Sequence, residues 1–205
     1  MRNDLTNNET WDLFITKGSE KAFSRIYHDH YKLLYYIGLK YTTHNQIIED
    51  SIQNVFVYLL RNREKLSPVS NIRAYLVKSF RNQLSHDLKK QNRLAPTEQL
   101  SDSQFDYFNG TEHAIFEKEE VAEIHHTLQK SLQKLSTKQQ EIIYLRFDCE
   151  LSYEEISNIL DISVDSCYKS IYRSIKAIKA DIEQSNLSPQ NLFFWITLLR
   201  RKTTN

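Results

Sequence analysis

The chain has 205 residues, 40% of them hydrophobic, with three glycines, three prolines and two cysteines. That is room for one ordinary domain or two small ones; so few turn formers argue against a strand-rich fold, and two cysteines exclude a disulfide scaffold. The net charge of +1 excludes no partner by itself, but it is unevenly spread. Residues 1–93 carry fifteen Lys/Arg against nine Asp/Glu, residues 94–112 four acids and no base, residues 113–183 nine bases against thirteen acids, and residues 184–205 three bases and no acid. This pattern predicts an all-α protein of two small helical domains, 10–93 and 113–183, joined by a flexible acidic linker at 94–112 and followed by a tail at 184–205. Met1–Asn8 is polar, so no signal peptide is expected, and no apolar run approaches the roughly 20 residues that span a bilayer. The expectation is a cytoplasmic protein.

In chain order, Trp11–Ile15 reads as a short apolar turn. In residues 17–41, Ala22, Phe23, Ile26, Tyr27, Leu33, Leu34, Ile37 and Tyr41 recur at helical intervals. The dense aromatics suit a packed core better than base stacking. His28 and His30 are two apart and face different ways on a helix, which excludes them as a metal pair. The next helix covers 47–66, with Ile48, Ile52, Val55, Phe56, Leu59 and Leu60 as one stripe and Glu49, Asp50, Gln53 and Asn54 opposite. That short acidic face suits a partner as well as solvent. Pro68 stops the helix. In residues 71–93, Ile72, Tyr75, Leu76, Phe80, Leu84 and Leu88 form an apolar side. Arg73, Lys78, Arg81, Lys89, Lys90 and Arg93 oppose a single acid, Asp87. A basic helix with interleaved aromatics fits phosphate contact plus base stacking, or alternatively a membrane-surface or calmodulin-target helix.

Residues 94–112 have no helical period; Phe105, Tyr107 and Phe108 are unusual in a solvated spacer and call for a docking place. Helices are expected over about 114–132 and from the N-cap Ser136 to Phe147. In residues 151–178, Ser152 with Glu155 makes a capping box, Asp161-Ile162-Ser163 a turn, and Ser163 a second cap. The second helix then sets Cys167, Ile171, Ser174, Ile175 and Ile178 on one face and Asp165, Ser166, Lys169, Tyr172, Arg173 and Lys176 on the other. Helix, tight turn and helix with a polar basic outer face is the arrangement that enters a major groove; an ordinary helical hairpin with a solvated face is the competing reading. Cys167, on the apolar face, is expected as a buried thiol. Leu192–Leu199 is apolar nearly all round, and two fates are open for it: docking on the second domain or an inhibitory partner, or an interfacial membrane contact.

These stretches together resemble a sigma-70 family RNA polymerase sigma factor of the extracytoplasmic-function (ECF) subfamily, most similar to those of Bacteroidetes. KGSEKAFSRIYHDHYKLLYYIGLKY resembles the first helix of sigma domain 2, IIEDSIQNVFVYLL the helix that docks on the polymerase clamp, and NIRAYLVKSFRN the promoter-melting segment. LSTKQQEIIYLRFDCELSYEEISNILDISVDSCYKSIYRSIKAI resembles sigma domain 4, with Asp161 in place of a common Gly, Ser157 of a common Ala, and Ser166-Cys167 of a common Thr-Val. The resemblance implies a protein that binds core RNA polymerase through its clamp and flap, recognises the −10 and −35 promoter elements, and is held in check by an anti-sigma factor. It implies core-polymerase contacts at Glu49, Asp50, Gln53, Asn54 and Phe56. Contacts to −10 DNA would come from Asn71, Arg73, Tyr75, Lys78, Arg81, Asn82, Lys89 and Lys90, beside a base-holding loop at about 64–71. Contacts to −35 DNA would come from Ser163, Asp165, Ser166, Lys169, Tyr172, Arg173 and Lys176. Within the resemblance, the linker either threads toward the polymerase active-site cleft, docking Phe105 or Tyr107 there, or is a plain tether.

No catalysis, small-molecule substrate, cofactor or metal is expected. A stand-alone helix-turn-helix regulator is the alternative; it would need a ligand pocket or phosphoacceptor in residues 1–93, and the sequence offers neither. A nucleic-acid-processing enzyme would need clustered carboxylates or metal-ligand spacing. The acids are scattered on helix faces, and none of the seven histidines has a partner at ligand spacing.

Overall fold

A glycine ends the first helix. In the computed structural model, which describes residues 7–94, 105–109 and 119–184, α1 (Asn7–Lys17) stops at Gly18. Gly18 has φ +62, the left-handed conformation that closes a helix C-terminus, and its N–H donates to Phe14 O. Ser19 then caps α2 (Glu20–Leu39) by accepting from Ala22 N–H. The expected short turn at Trp11–Ile15 is therefore a full helix. Its cause is tertiary: Trp11 and Phe14 are buried, and the Trp11 indole N–H donates to Ser67 O across 56 residues.

The first unit is completed by α3 (Asn45–Arg61), a 3-10 turn (Arg63–Lys65) and α4 (Ile72–Leu94). Ile26, Leu34, Ile37, Ile48, Ile52, Leu59, Leu76, Val77, Phe80 and Leu84 fill its core. Gly38 is where α2, α3 and α4 meet: a Cβ there would lie 2.6 Å from Ile48 Cγ2 and 3.1 Å from Phe80 Cζ. Leu60 departs from the apolar stripe expected of α3 and is exposed. It follows Leu59 by one position, which on a helix turns it away from the side its neighbour buries.

The second unit holds α5 (Glu119–Gln133), α6 (Thr137–Phe147), α7 (Tyr153–Leu160) and α8 (Val164–Gln184). Two complete capping boxes start α6 and α7: Ser136 with Gln139, and Ser152 with Glu155. Asp161 closes α7 in the left-handed conformation, φ 51, as the turn reading required. Leu128, Leu132, Ile142, Ile143, Ile156, Ile159, Cys167, Ile171 and Ile178 make this core. Burial pushes the Cys167 thiol above its ordinary pKa, which keeps it protonated and inert. Across the unit, Lys134 pairs with Asp181 at 2.8 Å.

Residues 105–109 lie against α6. The three spacer aromatics thus have a place: Phe105 and Tyr107 are buried against α6, and Phe108 lies tilted beside Tyr107. Neither buried ring projects for docking elsewhere. The expectations for the rest of the spacer and for the apolar tail lie outside the described residues. All regular structure among the described residues is helical.

Candidate nucleic-acid interface

In the second unit the interface is built from α7, its turn and α8. Ser163 caps α8, accepting from Ser166 N–H at 3.1 Å while its hydroxyl donates to Ser166 Oγ. The first turn of α8 is thereby held at the protein surface with its N-terminus outward. Cys167, Ile171, Ser174 and Ile178 are buried, so packing fixes which side of α8 faces out. On that side the structure brings together Asp165, Ser166, Lys169, Tyr172, Arg173 and Lys176, all exposed.

Lys169 Nζ lies 2.8 Å from Asp165 Oδ2, one turn back. Both groups are well exposed, and such pairs are worth only about 0.3–0.5 kcal/mol. Exchanging Asp165 for a guanine O6 or N7 therefore costs Lys169 little. Sequence reasoning missed Tyr168. It is 58% exposed and Tyr172 63%, two large rings left in water one turn apart. Tyr168 also packs on Tyr153 at 5.4 Å, and the Arg146 guanidinium sits 5.0 Å above the Tyr153 ring. A ledge of one cation and two rings thus spans α6, α7 and α8. The available signal was position: Tyr168 is four residues before Tyr172 and adjacent to Lys169, on the same helical face.

In the first unit α4 carries six basic residues and one acid. That acid, Asp87, is turned inward. Burial alone would raise its pKa, but hydrogen bonds from Gln83, Ser51 and His86 outweigh it and hold the carboxyl below its ordinary range. The Ser51 hydroxyl donates to Asp87 at 2.8 Å and ties α3 to α4. With Asp87 so engaged, the outer side of α4 is left cationic: Lys89, Lys90 and Asn82 are exposed, and Arg73, Lys78 and Arg81 half-buried. Arg81 Nε donates to Tyr41 Oη at 3.2 Å. Tyr75 is half-buried, edge-on to Trp11 at 5.4 Å, and burial pushes its hydroxyl pKa up. Asn71 caps α4, its side-chain oxygen accepting from Ala74 N–H, so that oxygen is already engaged. The 64–71 loop is fastened to α1 by the Trp11–Ser67 bond, and Arg63, just before it, donates from Nη1 to Ile15 O at 2.9 Å.

On α3, Glu49, Asp50, Gln53 and Asn54 are exposed together, and Gln46 donates to Asp50 at 2.9 Å. Phe56 is a correction. It is 3% exposed and packs edge-on against Tyr27 at 4.8 Å and Phe23 at 5.9 Å, so it cannot touch a partner directly. Its place is the core that presents the acidic side of α3. The surface that α3 does offer includes Tyr58 and Leu60, both exposed. Beside it on α2, Tyr27, Tyr31 and Tyr35 stack at one-turn spacing.

A helix-turn-helix unit that follows, along the chain, a helical unit with a cationic helix is an arrangement suited to DNA. Residues 26–94 match the family model Sigma-70 region 2, and residues 125–178 match Sigma-70, region 4. The chain belongs to the sigma-70 family and has the two-region organisation of ECF sigma factors, which supports a sigma factor over the stand-alone regulator. It is 26% identical over 165 residues to the RNA polymerase sigma factor YlaC of Bacillus subtilis (strain 168), covering 78% of this chain and 91% of that protein. Among solved structures it is similar to the sigma factor RpoE in complex with the anti-sigma factor NepR from Bartonella quintana. There the TM-score is 0.55 at 16% identity, over 80% of this chain and 98% of that one. CnrH in complex with the cytosolic domain of CnrY gives a TM-score of 0.57 at 17% identity, over 87% and 99%. These two likenesses concern the fold. As a sigma factor the chain acts through core RNA polymerase and promoter DNA. Among the described residues no helix is long and apolar enough to cross a membrane.

Proposed function

We propose the following division of labour within this ECF sigma factor. The α3 side bearing Glu49, Asp50, Gln53 and Asn54 docks on the polymerase clamp. The cationic side of α4, with Arg73, Lys78, Arg81, Asn82, Lys89 and Lys90, grips −10 DNA, while Tyr75 and Asn71 shape the wall beside the 64–71 loop. The outer side of α8 reads the −35 element: Asp165, Ser166 and Lys169 in its first half meet base edges, and Tyr172, Arg173 and Lys176 meet phosphate. Tyr168 joins them as an apolar contact in the groove. The observation that carries this reading is the α8 face. Packing of Cys167, Ile171, Ser174 and Ile178 leaves one side outward, and that side collects the hydrogen-bonding and cationic residues.

The work is delivery and stabilisation of melted DNA, without a reaction of the chain's own. Backbone contacts supply much of the affinity and base contacts the choice. A cytoplasmic site of action and control by an anti-sigma factor belong to the same proposal. The second is supported by the partners in the RpoE and CnrH structures. The Bacteroidetes-like character rests on the motif resemblance alone. The test is Asp50→Arg with Gln53→Ala. Both side chains are exposed on α3, so helicity should be unchanged while assembly with core polymerase is abolished. A double variant that still forms holoenzyme would refute the clamp assignment.

A further inference from the structure

Two rows of side chains run along the outer side of α8. Asp165, Lys169 and Arg173 follow one another at four-residue intervals and make a polar row. Val164, Tyr168 and Tyr172, each one residue earlier, make an apolar row beside it. Among the described residues of the second unit, these three are the large hydrophobic side chains left exposed, Val164 at 41%. A single exposed apolar group is ordinary on a protein surface; three in line on one helix mark a contact. The middle ring is also held in place. Tyr168 packs on Tyr153 at the start of α7, with ring centroids 5.4 Å apart, and the Arg146 guanidinium covers the Tyr153 ring at 5.0 Å. Arg146 is fixed in turn, its Nη1 donating to Leu151 O at 2.8 Å. The Lys169–Asp165 pair stays within the polar row, so the apolar row carries no charge until Lys176, one turn beyond Tyr172.

We infer that Tyr168, flanked by Val164 and Tyr172, is a specificity-determining residue that reads the C5-methyl group of a thymine in the −35 element, with Tyr153 as its positioning residue. The inference rests on the reading that the outer side of α8 meets that element, and it adds which base group the apolar row takes. In the major groove the base edges offer hydrogen-bond donors and acceptors, and the thymine methyl is the apolar group among them. An exposed ring in the first half of a recognition helix therefore has one base partner whose contact removes apolar surface from water on both sides. The polar row takes the hydrogen-bonding groups, with Lys169 suited to guanine O6 or N7. Tyr172 keeps its hydroxyl for phosphate, while its ring and Val164 exclude water from either end of the contact. A ring already packed on Tyr153 has little freedom left to lose on binding, so the contact is not offset by ordering.

The experiment is binding of core polymerase assembled with the full chain to promoter duplexes in which each thymine of the preferred −35 element, on both strands, is replaced in turn by uracil. Uracil keeps every hydrogen-bonding group of thymine and lacks only the methyl. For the wild type, uracil at one or two positions should weaken binding about fourfold, the size expected for uncovering one methyl-sized group. Tyr168→Ser should bind the thymine and uracil duplexes alike at one of those positions and keep the preference that depends on Lys169. Tyr168→Phe, which retains the ring without its hydroxyl, should behave as the wild type. Tyr153→Ala should shrink the thymine-to-uracil ratio at the position that Tyr168→Ser affects and at no other, a change that a general loss of stability would not produce. A wild type indifferent to uracil throughout, a ratio unchanged by Tyr168→Ser, or a Tyr168→Phe variant as impaired as Tyr168→Ser would overturn the inference. Failure of Tyr168→Ser to assemble with core polymerase would overturn it too, by placing this row in a protein interface. In each of these cases selection of the −35 element by the wild type leaves the reading of α8 standing. A wild-type holoenzyme blind to the −35 sequence would sink both.

Discussion

The two units build the helices proposed to face DNA by different means. The first uses length and an aromatic core: α4 runs 23 residues, buries its own Leu76 and Phe80, sets Tyr75 against Trp11, and turns its single acid inward to Ser51 and Gln83. What remains outside is mostly cation. The second uses local devices: capping boxes start α6 and α7, a left-handed Asp161 ends α7, and a serine cap starts α8. Its outer face is mixed, with an acid, lysines, an arginine and two exposed tyrosines. A nearly uniform charge holds any phosphate backbone, whereas a varied pattern of donors, acceptors and rings tells base pairs apart. The difference matches grip in one unit and choice in the other.

The contrast in construction breaks first at the aromatic core. Phe80→Ala should destabilise the first unit by about 3–5 kcal/mol, because the ring is fully buried among α2, α3 and α4. Urea unfolding followed in the two units should show the early transition confined to residues 7–94. A common shift in both would mean the units fold as one.

The contrast in function is sharpened on α8. Lys169→Ala should remove about 1–3 kcal/mol of preference at one or two −35 positions, and Tyr168→Ala should lower preference at a neighbouring position. Lys176→Ala should weaken all sequences alike and reduce the salt slope by about one charge. Binding of the full chain to a library of −35 duplexes at two salt concentrations measures all three. An equal loss across the library for Lys169→Ala would make this face a second grip.

The inward acid of α4 gives a pH signature. Because the folded chain holds the Asp87 carboxyl below its ordinary range, folding favours the ionised form. That stabilisation is present above the ordinary carboxylate pKa and is lost as pH falls through the lowered one. Ser51→Ala, which removes the buried hydroxyl donor, should cost about 1–2 kcal/mol at neutral pH and reduce the loss on acidification. Thermal unfolding from pH 7 to pH 3 checks this. Identical slopes for variant and wild type would remove Asp87 from the account.

The smallest effect is expected at the turn of the second unit. Asp161 has φ 51, where glycine carries no Cβ penalty, so Asp161→Gly should raise stability by a few tenths to 1 kcal/mol and leave promoter preference intact. A loss of stability would show that the Asp161 side chain contributes more than its backbone strain removes.

The short-range parts of this protein were legible in its residues. Apolar spacing determined α2, α3, α4 and α8, and the cap Ser136 and the pair Ser152–Glu155 marked helix starts that the structure keeps. Caps and periodicity act within one or two turns, so they can be read along the chain. Which side of α8 faces out followed too, since Cys167, Ile171 and Ile178 have only one core to enter. Tertiary structure decided the rest. Trp11 became part of a helix because Ser67 accepts its N–H and Tyr75 meets its ring. Phe56 went inside because Tyr27 and Phe23 are there to receive it. Phe105 and Tyr107 left the spacer for α6 because Tyr144, Gln140 and Asp148 converge on one spot. Each of the buried placements depends on a partner far along the chain, and for that reason no local pattern contains it.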